Sequence, residues 1–544
     1  MSATTADVPR LAGPGPAAGT PATPGAGTSA APGAGAKPQG SVRDWVAFLG
    51  ASLGAFMAVL DIQITNSSLQ DIQGSLGASL DEGSWISTGY LIAEIIVIPL
   101  TSWLGLVFGL KRYLMANAVV FIAFSLLCGI ATSLPEMILF RVGQGFTGGV
   151  LIPTAFTIML IRIPAARRAL AGAIFGLTVT FAPAIGPTVG GWLTDTYSWH
   201  LIFYINLLPG LLLLGMVGWG LDGAPTQLHR LAKGDWFGIA FMAAGLGCLE
   251  YVLEEGQRKD WFGDDGILLA AVVAAVSLTA FLVIELTRKE PFIDLRLLGR
   301  RALGVASLVN FASGLGLYGS VYLLPLYLSR VQHYNALEIG KVQMWMGLPQ
   351  LFLLPLLPLV LKVFDSRLVI GFGLTLFGVS CGMNAWMSPD TGIDQLKTAQ
   401  LVRAAGQPVI ISPLSQMATV GIAPAQAGAA SALFNMARNL GGSVGIAALG
   451  TVTDQREHFH FSVLAERVTH NATRTTERLQ GMAGRLGSEA RALESLAQRV
   501  RRQAYVMAYG DGFAVISAGL LLSLLAVPFL VRVPKGGKGG GGGH

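Results

Sequence analysis

Apolar residues in this chain come in long blocks separated by short polar joints. About fourteen blocks approach the ~20 residues that a helix needs to cross a bilayer. They lie at roughly 45–67, 84–105, 112–132, 136–160, 169–194, 200–221, 235–254, 265–286, 302–329, 339–361, 366–386, 395–420, 427–453 and 512–533. The one sizeable polar region is 454–511. There Leu479, Met482, Leu486, Leu493, Leu496 and Val500 recur at spacings of three, four or seven, which predicts amphipathic helix. That region reads either as a solvated helical hairpin over the outer mouth or as a docking surface for a partner. Residues 1–43 and 534–544 are rich in Ala, Gly and Pro or in Gly, and are expected to be disordered cytoplasmic tails.

One block breaks the rule that lipid-buried helices avoid backbone defects. Within 169–193, Pro183 and Pro187 each remove a backbone donor, freeing the carbonyls of Val179 and Pro183 and bending the rod. Ala182, Gly186 and Gly190 are spaced by four, and Gly191 follows, so one face is a smooth groove for a neighbouring helix. The expectation is a conformational element facing the other half of the molecule.

Composition supports the same class: 12% of residues are charged and mean hydropathy is +0.58. With both termini in the cytoplasm, Lys and Arg fall mainly on cytoplasmic segments, and the loops at 70–83 and 195–199 carry none. That asymmetry predicts a multi-pass protein with both ends inside. The pI near 9.2 therefore reports topology, and no nucleic-acid partner is inferred. Cys128, Cys248 and Cys381 lie in separate blocks, suggesting neither disulfides nor a metal site. Phosphate-binding loops, nucleotide fingerprints and nucleophile elbows are lacking, which argues against ATP-driven pumping and against an enzyme.

A faint repeat divides the chain. Leu139-Phe-Arg141 with Gly143-Gln144 has a counterpart in Leu401-Val-Arg403 with Gly406-Gln407, offset by about 260 residues. Twenty-odd residues after each, Pro164-Ala-Ala and Pro424-Ala-Gln precede Gly/Ala-rich spans. This register gives two six-helix halves, at 44–221 and 301–533, with two helices inserted at 222–300.

Several of these segments resemble the major facilitator superfamily, and within it the fourteen-span EmrB/QacA-type drug:proton antiporters, most of all EmrB-like multidrug exporters. The resemblance rests on residues 60–66 (Leu-Asp-Ile-Gln-Ile-Thr-Asn), 139–145 (Leu-Phe-Arg-Val-Gly-Gln-Gly) and the antiporter-like fifth span at 182–191. Asn206 to Pro209, Asp260-Trp261, Pro291 to Asp294, and Asn435 to Arg438 followed by Gly441 to Gly445 add to it. It implies an all-α integral membrane protein in the bacterial inner membrane, exporting hydrophobic compounds on the proton gradient with no cofactor. It also implies a periplasmic adaptor and an outer-membrane channel as partners. The latch usual between spans two and three is degraded: Gly109 and the basic pair at 111–112 remain, without the Asp and first Arg.

Charged groups inside spans carry the candidate chemistry. A carboxylate in a bilayer costs roughly 3 kcal/mol on insertion scales, and desolvation disfavours its charged form. Asp61 is thus read as a proton carrier, the alternative being a carboxylate that only bonds neighbouring helices. Glu94 reads as a second proton site, a substrate contact or a buried structural hydrogen bond. Arg141, always charged, either tunes a nearby acid or forms a permanent salt bridge. Arg403 and Arg438 could anchor an anion or pair with backbone carbonyls. Gln63, Asn66, Tyr90 and Gln144 are candidate cavity lining. Phe311, Tyr318 and Tyr322 form an aromatic stripe, readable as helix packing or as a drug pocket. The rival functions are a proton-coupled importer of a nutrient and a membrane receptor or scaffold that does not transport.

Overall fold

A computed structural model describes residues 40–532, apart from 165–166, 233, 289–290, 424–425, 467 and 469–472. The expected tails, and the residues following Pro164 and starting at Pro424, fall largely outside the described residues.

Regular structure among the described residues is helical. Ser41 starts the first rod, α1 (Val42–Ser67), by accepting the Asp44 N–H at 3.2 Å while the Asp44 carboxylate accepts the Ser41 N–H at 3.0 Å. Then come α2 (Trp85–Phe108) and α3 (Leu110–Gly129), joined through Gly109 at φ +81°, a conformation that costs glycine little. The fourth rod, α4, runs as Leu134–Gly148 and then Leu151–Arg162. It is followed by α5 (Arg168–Thr196) and α6 (Leu207–Gly220). The inserted pair is α7 (Trp236–Glu255) and α8 (Asp265–Thr287).

The second half begins with α9 (Arg301–Arg330) and α10 (Ala336–Leu353, extended to Val363 by two short helices). It continues with α11 (Ser366–Asn384), α12 (Ile393–Gly406, then Pro408–Ala418), α13 (Ala427–Glu466) and α14 (Glu489–Leu522). Twelve of these rods are long and apolar enough to cross a membrane. The other two, α12 and α13, are more polar along their length: Asp394, Lys397, Gln400, Arg403 and Gln407 interrupt one, and Asn435, Arg438, Asn439 and Ser443 the other.

Two sequence expectations change. First, α5 stays helical through both prolines, but its glycine groove does not face the other half. A Cβ on Gly186 would run into the Gln63 side chain, and one on Gly190 would lie 2.9 Å from the Ile64 carbonyl, so the groove seats α1 of the same half. The opposite face of α5 meets the second half. There a Cβ on Gly347 of α10 would lie 2.7 Å from Ala184, and Gly340 of α10 abuts Thr188. Pro183, Pro187 and Gly191 are buried.

Second, region 454–511 is not a separate loop. No helix breaker follows Thr453, so α13 runs unbroken to Glu466, and α14 already begins at Glu489. At ~1.5 Å per residue the 40 residues of α13 span about 60 Å, twice a ~30 Å hydrocarbon layer. Arg456 and His460 both hold Asp511, at 2.5 and 2.8 Å, and Arg501 holds Glu457 at 3.1 Å, clamping the two extensions together. A separate helix, Thr473–Leu486, lies where the amphipathic spacing begins.

Candidate functional site

The first half closes around one buried ion pair. Asp61, on α1, and Arg141, on α4, are each 1% exposed, and Nη1 of Arg141 lies 2.5 Å from Oδ2 of Asp61. One turn along α4, the Gln144 carbonyl accepts from Arg141 at 2.6 Å while its amide donates to Asp61 Oδ1 at 3.0 Å. Asn206, which precedes α6, donates to that same Oδ1 at 2.6 Å and to Ser125 Oγ of α3 at 2.9 Å. The Arg141 Nε donates to the Ile86 carbonyl at 3.2 Å. Its guanidinium also lies 4.3 Å from the centre of the Tyr90 ring, over which it stacks. Five helical elements thus converge on one carboxylate, which accepts from three residues.

That arrangement has a chemical consequence. A proton delivered to Asp61 would remove the negative charge that Arg141 neutralises, leaving a buried cation uncompensated.

The remaining sequence candidates divide. Gln63 packs against α5 and Asn66 is exposed, accepting from Ser87 Oγ at 2.7 Å, so neither joins the Asp61 network. Glu94 is buried on α2, within electrostatic reach of both Arg141 and Arg438, the latter on α13 of the second half. Tyr318 lies within reach of Arg438 and Glu94, and it packs on Gly442. Phe311 meets α13 through its backbone at Gly441, and Tyr322 approaches Gly450.

Arg403 repeats half of the Arg141 pattern. Its Nε donates to Gln407 Oε1 at 3.0 Å, one turn along α12, but no carboxylate completes the set. Gln407 and Arg438, with Asn310 and Ser313, line a small cavity inside the second half, where Gln407 Nε2 and Arg438 Nε meet no hydrogen-bond partner among the described residues. An apolar groove between α1 and the start of α6 is lined by Leu53, Phe56, Leu60, Ile205, Asn206 and Leu208.

Sequence reasoning missed Asn206, Ser125 and a run of acids on α7. Asn206 had a signal, as a lone amide at the start of an apolar block; Ser125, one hydroxyl in an apolar span, had none. Glu250 gave a weaker signal than Glu94: it stands near the end of its apolar block, with Glu254 and Glu255 close behind. The three cysteines are unpaired, and among the described residues no cluster of His, Cys, Asp and Glu could hold a metal ion.

The sequence profile described as Major Facilitator Superfamily matches residues 51–446. The chain belongs to the major facilitator superfamily. It is similar to the colistin resistance protein EmrB of Acinetobacter baumannii, at 33% identity over 90% of this chain and 97% of that one. Similarity to the multidrug export protein EmrB of Escherichia coli is 31%, covering 93% of this chain and 99% of that protein. The fold matches a solved structure of the proton:xylose symporter XylE with a TM-score of 0.54 at 15% identity, over 89% of this chain and 94% of that one. As a member of this family with such relatives, the chain is a multi-pass membrane transporter and not an enzyme.

Proposed function

We propose that this transporter exports small hydrophobic compounds in exchange for protons, by alternating access between its two halves. The observation that carries the reading is the Asp61 network: an ion pair sealed from water whose charge balance one proton overturns. In this cycle a proton reaches Asp61 and frees Arg141 to rearrange. The proton is released on the opposite side as substrate moves outward. Each charge crossing 100 mV contributes about 2.3 kcal/mol, so the gradient alone can drive the exchange.

In this reading, supported by the bias of Lys and Arg along the sequence, both termini lie in the cytoplasm and the clamped extensions of α13 and α14 lie outside the bacterial inner membrane. Those extensions would dock a periplasmic adaptor that leads to an outer-membrane channel. The likeness to EmrB exporters favours export over nutrient import on the same fold. In everted vesicles with an imposed proton gradient, adding substrate should dissipate the gradient for wild type and not for Asp61→Asn. Unchanged dissipation in the variant would remove Asp61 from the cycle, and accumulation of substrate by intact cells would reverse the direction.

A further inference from the structure

The inserted helix α7 touches both halves through carboxylates. Near its C-terminal end Glu255 accepts from Ser84 and Thr88 of α2 at 3.0 and 3.3 Å, and Tyr251 stacks on Trp85 at 5.4 Å. On its other side Glu250 Oε1 accepts the Ser443 hydroxyl of α13 at 2.7 Å. Just beyond α7, Trp261 Nε1 donates to Thr451 of α13 at 3.0 Å. The last turns of α7 therefore bridge the seam between α2 and α13, which belong to opposite halves.

Glu250 is 1% exposed, and its second oxygen, Oε2, is shut off from solvent with no hydrogen-bond partner. The groups acting on it are Glu254 one turn along α7, Glu94 on α2 and the Ser443 hydroxyl on α13. No positive charge from α8, the other neighbour of α7, is among them. An ionised Glu250 would hold a full charge on one hydrogen bond, beside two further carboxyl groups. Such a site is costly for an anion and far less so for a neutral acid.

We propose that Glu250 is a proton-carrying site on the inserted helix: it holds a proton while the α7–α13 seam is closed and yields it to water when the seam opens. The carboxylic acid loses H⁺ to become carboxylate, and regains it on closure, so no other reactant is needed. The inserted pair then takes part in coupling rather than filling space beside two working halves. This rests on the proton-coupled reading above.

Infrared spectra of the full chain in lipid vesicles at neutral pH test it without a substrate. Wild type should show a carboxylic-acid carbonyl band that is weaker by one carboxyl's share in Glu250→Gln. The band should shift in Ser443→Ala, which keeps the acid but loses its hydrogen bond. Raising the pH should remove that share of the band in wild type, with no such transition in Glu250→Gln. Identical carbonyl regions in wild type and Glu250→Gln would overturn the inference, even where vesicles show proton-coupled export. Absence of coupled export from wild type would instead sink the transport reading and the carrier role with it, although the band would remain.

Discussion

Arg141 and Arg403 occupy matching places in the repeat, and each donates to a glutamine one turn along its own helix, Gln144 at 2.6 Å and Gln407 at 3.0 Å. Beyond that point they part. Gln144 passes its amide to Asp61, whereas the amide of Gln407 meets no hydrogen-bond partner among the described residues and lines a small cavity. Both halves keep a scaffold able to hold a buried arginine, yet only the first supplies the carboxylate. Duplicated architecture thus does not mean duplicated chemistry: the first half buries an ion pair at this position, and the second an arginine with no carboxylate partner among the described residues. Arg438, also buried, extends that positive character toward the seam, where Glu94 of the first half acts on it.

The comparison breaks most visibly if Arg141 can be lost without harm. Arg141→Met strands Asp61, and removing one partner of a buried pair typically costs about 3–5 kcal/mol. Thermal unfolding of the purified protein should therefore show a large drop in Tm. Adding Asp61→Asn should restore part of it, because the stranded charge disappears. Additive losses in the double variant would mean that the pair is not an energetic unit.

A smaller effect tests whether α5 belongs to that same half. Gly190→Leu forces a side chain against the Ile64 carbonyl and Ser67 of α1. Overpacking of this kind costs roughly 1–3 kcal/mol, so Tm should fall even with no substrate present. A variant of normal stability with arrested transport would return the groove to the role expected from the sequence, a moving contact between halves.

The all-helical membrane class was legible because it follows from a local rule, the length of the apolar blocks. Asp61 and Arg141 stood out because a charge in an apolar span is costly and needs a cause, whereas Gln144 was read only as cavity lining and instead joins their network. What could not be read was which face of a helix meets which neighbour. Gly186 and Gly190 announce close packing, but nothing local says whether α1 or α10 fills the groove. Asn206 reaches Asp61 from 145 positions away, a pairing that only tertiary structure can make. Glu250 gave a weaker signal than Glu94, because it lies at the end of its apolar block with Glu254 and Glu255 just beyond, where acids usually face water.

The least disruptive change is the sharpest check on the contrast between halves. Arg403→Met removes a cation that has no ion-pair partner among the described residues, so no opposite charge is left stranded. The losses are its bonds to Gln407 and to the Leu317 carbonyl at 3.5 Å, and its position 5.2 Å from the Phe377 ring centre. Methionine keeps most of the packing, and exchanging a buried ion for an apolar group is often neutral or stabilising. The Tm of Arg403→Met should therefore stay within the equivalent of about 1 kcal/mol of wild type, set mainly by the unsatisfied Gln407 carbonyl. A loss as large as that of Arg141→Met would mean that an anion completes the second half in the working protein. Repeating the melt across chloride concentrations would then separate a bound inorganic ion from a carboxylate of the protein itself.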